Sequence, residues 1–199
     1  MSAGHCWKCE KPAEHNLFCK FCESLQPPVT DYYRFFDLPK KLNLNDAELQ
    51  KRFYSLSKLL HPDRYTRRPP TEREYSLQAT AILNDGYRIL RDPIRRAEYI
   101  LSGAGFENAE QRTKDIPPEL LEEVFELNMA LEESDKSQLA DFEKKFQGMQ
   151  SDLDKQLTSQ FEKWDHDHSG DALSEVRGIL NKRKYISNLL NTIHGNLTD

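Results

Sequence analysis

Over residues 45–60 the apolar side chains Leu49, Phe53, Leu56, Leu59 and Leu60 recur at helical intervals, while Lys51, Arg52 and Lys58 occupy other faces. This is the pattern of an amphipathic helix. The helical step returns over 71–90, held most cleanly by Leu83, Tyr87 and Leu90, with Tyr75, Leu77, Ala79, Ala81, Ile82 and Ile89 adding apolar content. Thr71 and Glu74 have the spacing of an N-terminal capping box. Pro93 suits the first turn of a further short helix, 94–101, which Gly103 and Gly105 end. The two longer segments are predicted to pair as an antiparallel hairpin.

After a polar connector, three more helical segments follow. In the first, Leu120, Val124, Leu127 and Leu131 form a complete i, i+4, i+7, i+11 stripe, sufficient to pack it against its neighbours. Leu121, Phe125 and Met129 form a second stripe about one residue around the axis. A single packed face does not need both, so the second stripe is either the edge of a broad core or an apolar groove for a partner, rimmed by Glu122, Glu126, Glu132 and Glu133. Leu139, Phe142, Phe146, Met149, Leu153, Leu157, Phe161 and Trp164 give the seam of a long second helix. A last helix over 172–193 places Leu173, Val176, Ile179, Leu180, Ile186, Leu190 and Ile193 inward. Asp165, His166, Asp167 and His168, between these two helices, read as a polar joining turn rather than a metal site.

The chain has 199 residues, of which 37% are hydrophobic and 31% charged, with a formal net charge of −5. It can bury more than one modest core. No excess of positive charge faces phosphate, which argues against a nucleic-acid binder, and no apolar run is long enough to cross a bilayer. The opening residues Met1 to His5 carry neither a secretory h-region nor an Arg-rich leader. A cytoplasmic protein is expected, or one of the mitochondrial matrix if a leader has been removed.

All four cysteines fall in two pairs, Cys6/Cys9 and Cys19/Cys22. A two-residue gap lets both thiolates of a pair turn toward one ion, and two pairs complete the tetrahedral shell that structural zinc prefers. Disulfides are the competing reading, but nothing in the chain suggests secretion; iron is the main competing metal. Four cysteines leave no coordination position for substrate, so one structural zinc per chain is expected. His5 and His15 flank the set as surface residues. Trp7, Leu17, Phe18 and Phe21 are expected to cover the site or pack on the next domain, and Pro27-Pro28 to form a stiff linker.

The most informative feature is His61-Pro62-Asp63, set between the first two helical segments. Proline disfavours the α region for the residue before it, so the helix must stop near Leu60 and present a rigid turn. A catalytic His–Asp pair is set aside, because no nucleophile or phosphate-cradling loop accompanies it. With the segment 31–38 before it and 84–93 after it, the arrangement resembles a J domain over residues 31–103. That resemblance implies a co-chaperone whose turn and basic helix, through His61, Pro62, Asp63, Lys51, Arg52 and Lys58, dock on a DnaK/HscA-type chaperone and stimulate its ATP hydrolysis.

A J domain followed at once by a compact helical bundle, and preceded by a two-CxxC module, resembles the HscB-type iron–sulfur co-chaperones. The resemblance implies an IscU-type cluster scaffold held by the bundle, at Leu121, Phe125, Glu126 and Met129 on its first helix and Tyr185 on its last. The expected fold is mainly α: a zinc-ribbon-like module (1–28), a helical-hairpin J domain (29–104), a connector (105–116) and a three-helix bundle (117–199). The chain is expected to be a non-enzymatic monomer with no nucleic-acid or membrane partner. The runner-up is a general J-protein delivering unfolded clients, and a zinc-dependent nucleic-acid binder stands third.

Overall fold

The computed structural model describes residues 4–13, 16–106, 118–133 and 136–198. His15 and most of the predicted connector lie outside the described residues. The chain divides into two compact units, 1–96 and 97–199. The division falls within the helix Pro93–Gly103 (α4).

In the first unit, an isolated antiparallel bridge pairs His5 with Pro12 and another pairs Phe18 with Leu25, folding each cysteine pair back on itself. Helix α1 (Tyr32–Phe35) is capped by Asp31, whose carboxylate accepts the Arg34 N–H at 2.8 Å. Helix α2 (Asp46–Leu60) is capped in the same way by Asn45, which accepts the Glu48 N–H at 3.1 Å. A short 3₁₀ turn, Pro62–Tyr65, leads to α3 (Pro70–Leu90). Helices α2 and α3 pack together, and Phe53 stacks on Tyr87 with ring centroids 4.2 Å apart. Tyr33, Phe36, Leu42, Leu49, Leu60, Leu83 and Leu90 form the core of this unit. A Cβ at Gly86 would lie 2.8 Å from Tyr32 Cδ1 and 2.9 Å from Phe36 Cε2, so α1 sits on α3 at the one place where α3 has no side chain.

Several expectations are revised here. Thr71 and Glu74 form no capping box: α3 starts one residue earlier, at Pro70, with Pro69 at the N-cap and no side-chain cap bond. Proline at the first helical position has the required φ and lacks an N–H to satisfy, so the start is set before Thr71. Leu59 and Leu77, expected on apolar faces, are exposed. Tyr75 instead meets Trp7 edge-on, with centroids 6.3 Å apart. Lys8 Nζ lies 3.8 Å from the buried carboxylate of Glu72. The cysteine module therefore rests on the first turns of α3, with Trp7 packed on the next domain as its sequence pattern suggests.

In the second unit, α5 (Leu121–Glu132) packs on α6 (Lys136–Asp167), and α6 pairs along its length with α7 (Gly170–Thr198). Helix α7 runs longer at both ends than the sequence pattern predicts. The α6–α7 turn closes through His168 in the left-handed region (φ 52°), whose N–H donates to Trp164 O at 2.7 Å, and through Ser169 Oγ, which accepts the Ala172 N–H at 3.3 Å. Asp167 accepts the Ser169 N–H at 2.8 Å, which holds its carboxyl below the usual range. The antiparallel register is marked by Arg183 to Asp154 at 2.6 Å and His194 to Glu143 at 2.7 Å. Leu139, Phe146, Leu153, Leu157, Phe161 and Trp164 are buried against Val176, Leu180, Ile186 and Ile193, while Phe142 and Met149 are half-buried.

Candidate functional site

The two cysteine pairs are built alike. Cys6 N–H donates to Lys11 O and Glu10 N–H to Cys6 O; Cys19 N–H donates to Ser24 O and Glu23 N–H to Cys19 O. Glu10 and Glu23 take matching positive φ values, 62° and 56°, which turn each loop back. In each pair the N–H two residues after the first cysteine points at its sulfur, Lys8 to Cys6 and Phe21 to Cys19, both at 3.4 Å. The four sulfurs lie within 4.8 Å of one another, with Cys6 to Cys22 at 3.6 Å and Cys9 to Cys19 at 3.7 Å. Neither distance is a disulfide, and the cysteines are free. Four sulfurs at 2.3 Å from one tetrahedral ion sit about 3.8 Å apart, so the set fits a metal.

Ser24 and Gln26, both buried, supply outer hydrogen bonds: Ser24 Oγ lies 3.4 Å from Cys6 Sγ and 3.1 Å from Cys22 Sγ, and Gln26 Nε2 donates to Cys6 Sγ at 3.3 Å. Burial pushes the Cys6 thiol up, but hydrogen bonds from Ser24 and the Cys9 and Lys8 backbone bring it down to about 5. Cys22 is lowered by its bonds to Ser24. The Lys11 backbone favours the Cys9 thiolate, yet burial and three adjacent sulfurs push that thiol up to about 12. Sulfurs packed this closely do not all ionise together unless a cation sits among them, which a metal ion would supply. Among the described residues no other cluster of His, Cys, Asp and Glu is arranged for a metal; of the expected joining turn only His168 lies outside a helix, since Asp165, His166 and Asp167 form the last turn of α6.

At the far end of α2, His61 takes φ −55° and ψ 127°, and the helix stops. The His61 ring accepts the Asp63 N–H through Nδ1 at 3.3 Å, and the Asp63 carboxylate lies 3.5 Å from the same atom. Both side chains face solvent, Asp63 at 86% exposure. The carbonyls that the break leaves without helical partners are satisfied by side chains. Lys58 O accepts from Arg64 at 3.4 Å, Leu59 O from Tyr65 Oη at 3.1 Å, and Leu60 O from Ser76 Oγ at 2.7 Å and Thr80 Oγ1 at 3.2 Å. Lys51 and Lys58 are exposed. Arg52 is held differently: it donates to Asp37 at 2.9 Å, Glu48 at 3.0 Å and Phe36 O at 3.0 Å, bonds that keep its guanidinium charged.

On α5 the two stripes separate cleanly. Leu120, Val124 and Leu127 are buried and Leu131 is half-buried, whereas Leu121, Phe125 and Met129 are 53%, 66% and 48% exposed. Glu122 and Glu126 beside them are exposed. Tyr185 is half-buried on α7, and burial raises its phenol pKa.

A DnaJ-domain family model matches residues 31–99, and a model described as the HSCB C-terminal oligomerisation domain matches residues 116–194. The human iron–sulfur cluster co-chaperone protein HscB is 30% identical over 191 residues, covering 92% of this chain and 78% of the relative. The chain belongs to the HscB family of iron–sulfur cluster co-chaperones. A co-chaperone protein HscB homolog of Vibrio cholerae is 41% identical over 103 residues, 51% of this chain and 60% of that one. The crystal structure of human co-chaperone protein HscB superposes with a TM-score of 0.76 at 29% identity, covering 96% of each chain.

Within this HscB-type chain the cysteine module lies ahead of both matched domains, since the DnaJ match begins at residue 31. Ser24, Gln26, Ser76 and Thr80 contribute to the two sites without being evident from the sequence. The hydroxyls of Ser76 and Thr80 reach a carbonyl 16 and 20 residues away, and a helical serine or threonine gives no local sign of that.

Proposed function

We propose that this co-chaperone holds an IscU-type cluster scaffold on α5 and presents it to a DnaK/HscA-type chaperone whose ATP hydrolysis it stimulates, with no reaction of its own. The observation that carries the reading is the exposed stripe Leu121, Phe125 and Met129 beside a separate, buried stripe on the same helix. It supplies apolar anchors that the bundle does not use for packing. Glu126 on the same helix and Tyr185 on α7 are the polar and aromatic contacts proposed for the scaffold in addition to these anchors. On the first unit, the exposed His61-Pro62-Asp63 turn offers a carboxylate to a basic group of the chaperone, while Lys51 and Lys58 meet acidic surface. Arg52 joins them by exchanging exposed ion pairs, each worth only about 0–1 kcal/mol, for a partner carboxylate.

Zinc is the metal that four cysteine sulfurs in a closed shell favour, at one ion per chain through Cys6, Cys9, Cys19 and Cys22, and its role is structural. Free thiols fit a reducing, cytoplasmic setting; no described helix is long and apolar enough to cross a membrane. The test of the chaperone contact is steady-state ATP hydrolysis by the cognate chaperone with the parent and with Asp63→Asn. Stimulation should be abolished while the fold is kept, because Asp63 lies outside the core. Undiminished stimulation would overturn the assignment.

A further inference from the structure

Of the donors that satisfy the broken end of α2, Arg64 and Tyr65 belong to the turn itself and move with it. Ser76 and Thr80 do not. They stand on α3, one helical turn apart on one face, and both donate to the carbonyl of Leu60, the peptide group directly before His61. Leu60 and Ser76 are both fully buried, so water does not reach this carbonyl by default. Packing does not call for these hydroxyls. Alanine is the better helix former, and a buried serine needs a partner that alanine does not.

We infer that Ser76 and Thr80 are positioning residues: their hydroxyls fix the last peptide of α2 to α3 and so set the direction in which His61, Pro62 and Asp63 leave the helix. This rests on the reading of that turn as the chaperone contact. Backbone strain plays no part in it. Proline 62 removes the N–H that would continue the helix, and two hydroxyls from a second element replace a single helical bond with a tie across the hairpin. Without the tie, the turn keeps its local bonds, Asp63 N–H to His61 and Arg64 N–H to His61 O at 3.0 Å, but loses its fixed aim.

The experiment uses the full chain with Ser76→Ala/Thr80→Val, Thr80→Val alone and Thr80→Ser. Amide hydrogen exchange is followed at Asp63, Arg64 and Tyr65, with Leu83 in the body of α3 and Leu90 at its last residue as references, and ATPase stimulation is measured at saturating co-chaperone well below the unfolding transition. In the double variant, exchange at the turn should rise by about tenfold or more, the effect of one lost buried hydrogen-bond partner. Leu83 and Leu90 should stay as in the parent, and maximal stimulation should fall. Thr80→Val, at a half-buried site, should show a smaller effect in the same direction, and Thr80→Ser should behave as the parent. Exchange at the turn equal to the parent would overturn the inference, as would a uniform rise that includes Leu83 and Leu90, or a Thr80→Ser protein as impaired as Thr80→Val. The exchange readout involves no chaperone. It therefore judges the hydroxyls even if the Asp63→Asn result removes the chaperone reading of the turn.

Discussion

Truncating Leu121, Phe125 and Met129 together to alanine separates a partner surface from a core. Fully buried large apolar residues cost on the order of 2 to 5 kcal/mol each when cut to alanine, because the removed atoms leave a cavity. These three are about half exposed or more, with neighbours on one side only, so most of the removed atoms face water already. Surface substitutions of this kind usually stay within about 0.5 kcal/mol, and alanine's higher helix propensity offsets part of that. The net change in unfolding free energy should therefore be small. Binding should respond in the opposite way: a few apolar anchors at the centre of an interface are commonly worth about 2 kcal/mol or more each, which is about a thirtyfold loss of affinity per anchor. The assay is thermal or urea unfolding beside titration of the scaffold protein, with Leu127→Ala as the buried control on the same helix. The expected outcome is near-parental unfolding and lost scaffold binding for the triple variant, and marked destabilisation for Leu127→Ala. A triple variant that melts far below the parent would refute the reasoning.

Gly86→Ala should destabilise the first unit by about 1–3 kcal/mol, since its Cβ would meet Tyr32 and the buried Phe36 inside contact distance; a unchanged urea midpoint would show that α1 yields freely. Protein purified without added metal should carry one zinc per chain by elemental analysis, and Cys6→Ser or chelation should unfold the cysteine module. Because Lys8 and Trp7 meet Glu72 and Tyr75, the loss should also lower the melting point of the α2–α3 hairpin; an unchanged hairpin would show that the module contributes nothing to it.

Two helix ends were legible because a single proline dictates each. Pro62 stops α2 and Pro93 opens α4, and each acts within one or two positions of itself. The cysteine spacing likewise carried its own geometry. The packed stripe of α5 was legible, but whether the second was the edge of that core or a free face was not, because the two differ by only about 100° of rotation and the position of α6 decides how wide the buried face is. The Thr71–Glu74 capping box is the converse case: a correct local motif displaced by a neighbouring proline that sets the helix start first. Arg52 read as one more free cation on a basic face, whereas Asp37, 15 residues away, claims it. Interactions that join distant segments, such as Ser76 with Leu60 or Gln26 with Cys6, leave no periodic trace and needed the fold.

In the proposed function one chain joins two surfaces, so that the scaffold reaches the chaperone as part of the same molecule. Covalent linkage makes the second encounter intramolecular and raises its effective concentration, commonly into the millimolar range. The most direct measurement is the chaperone's ATPase rate with scaffold present, comparing the parent with an equimolar mixture of Asp63→Asn and Leu121→Ala/Phe125→Ala/Met129→Ala. Each protein in the mixture retains the surface that the other lacks. The mixture should give no more than the scaffold-independent rate of its turn-competent member. A mixture that matches the parent would contradict the proposed function, because the two surfaces would then work equally well on separate molecules.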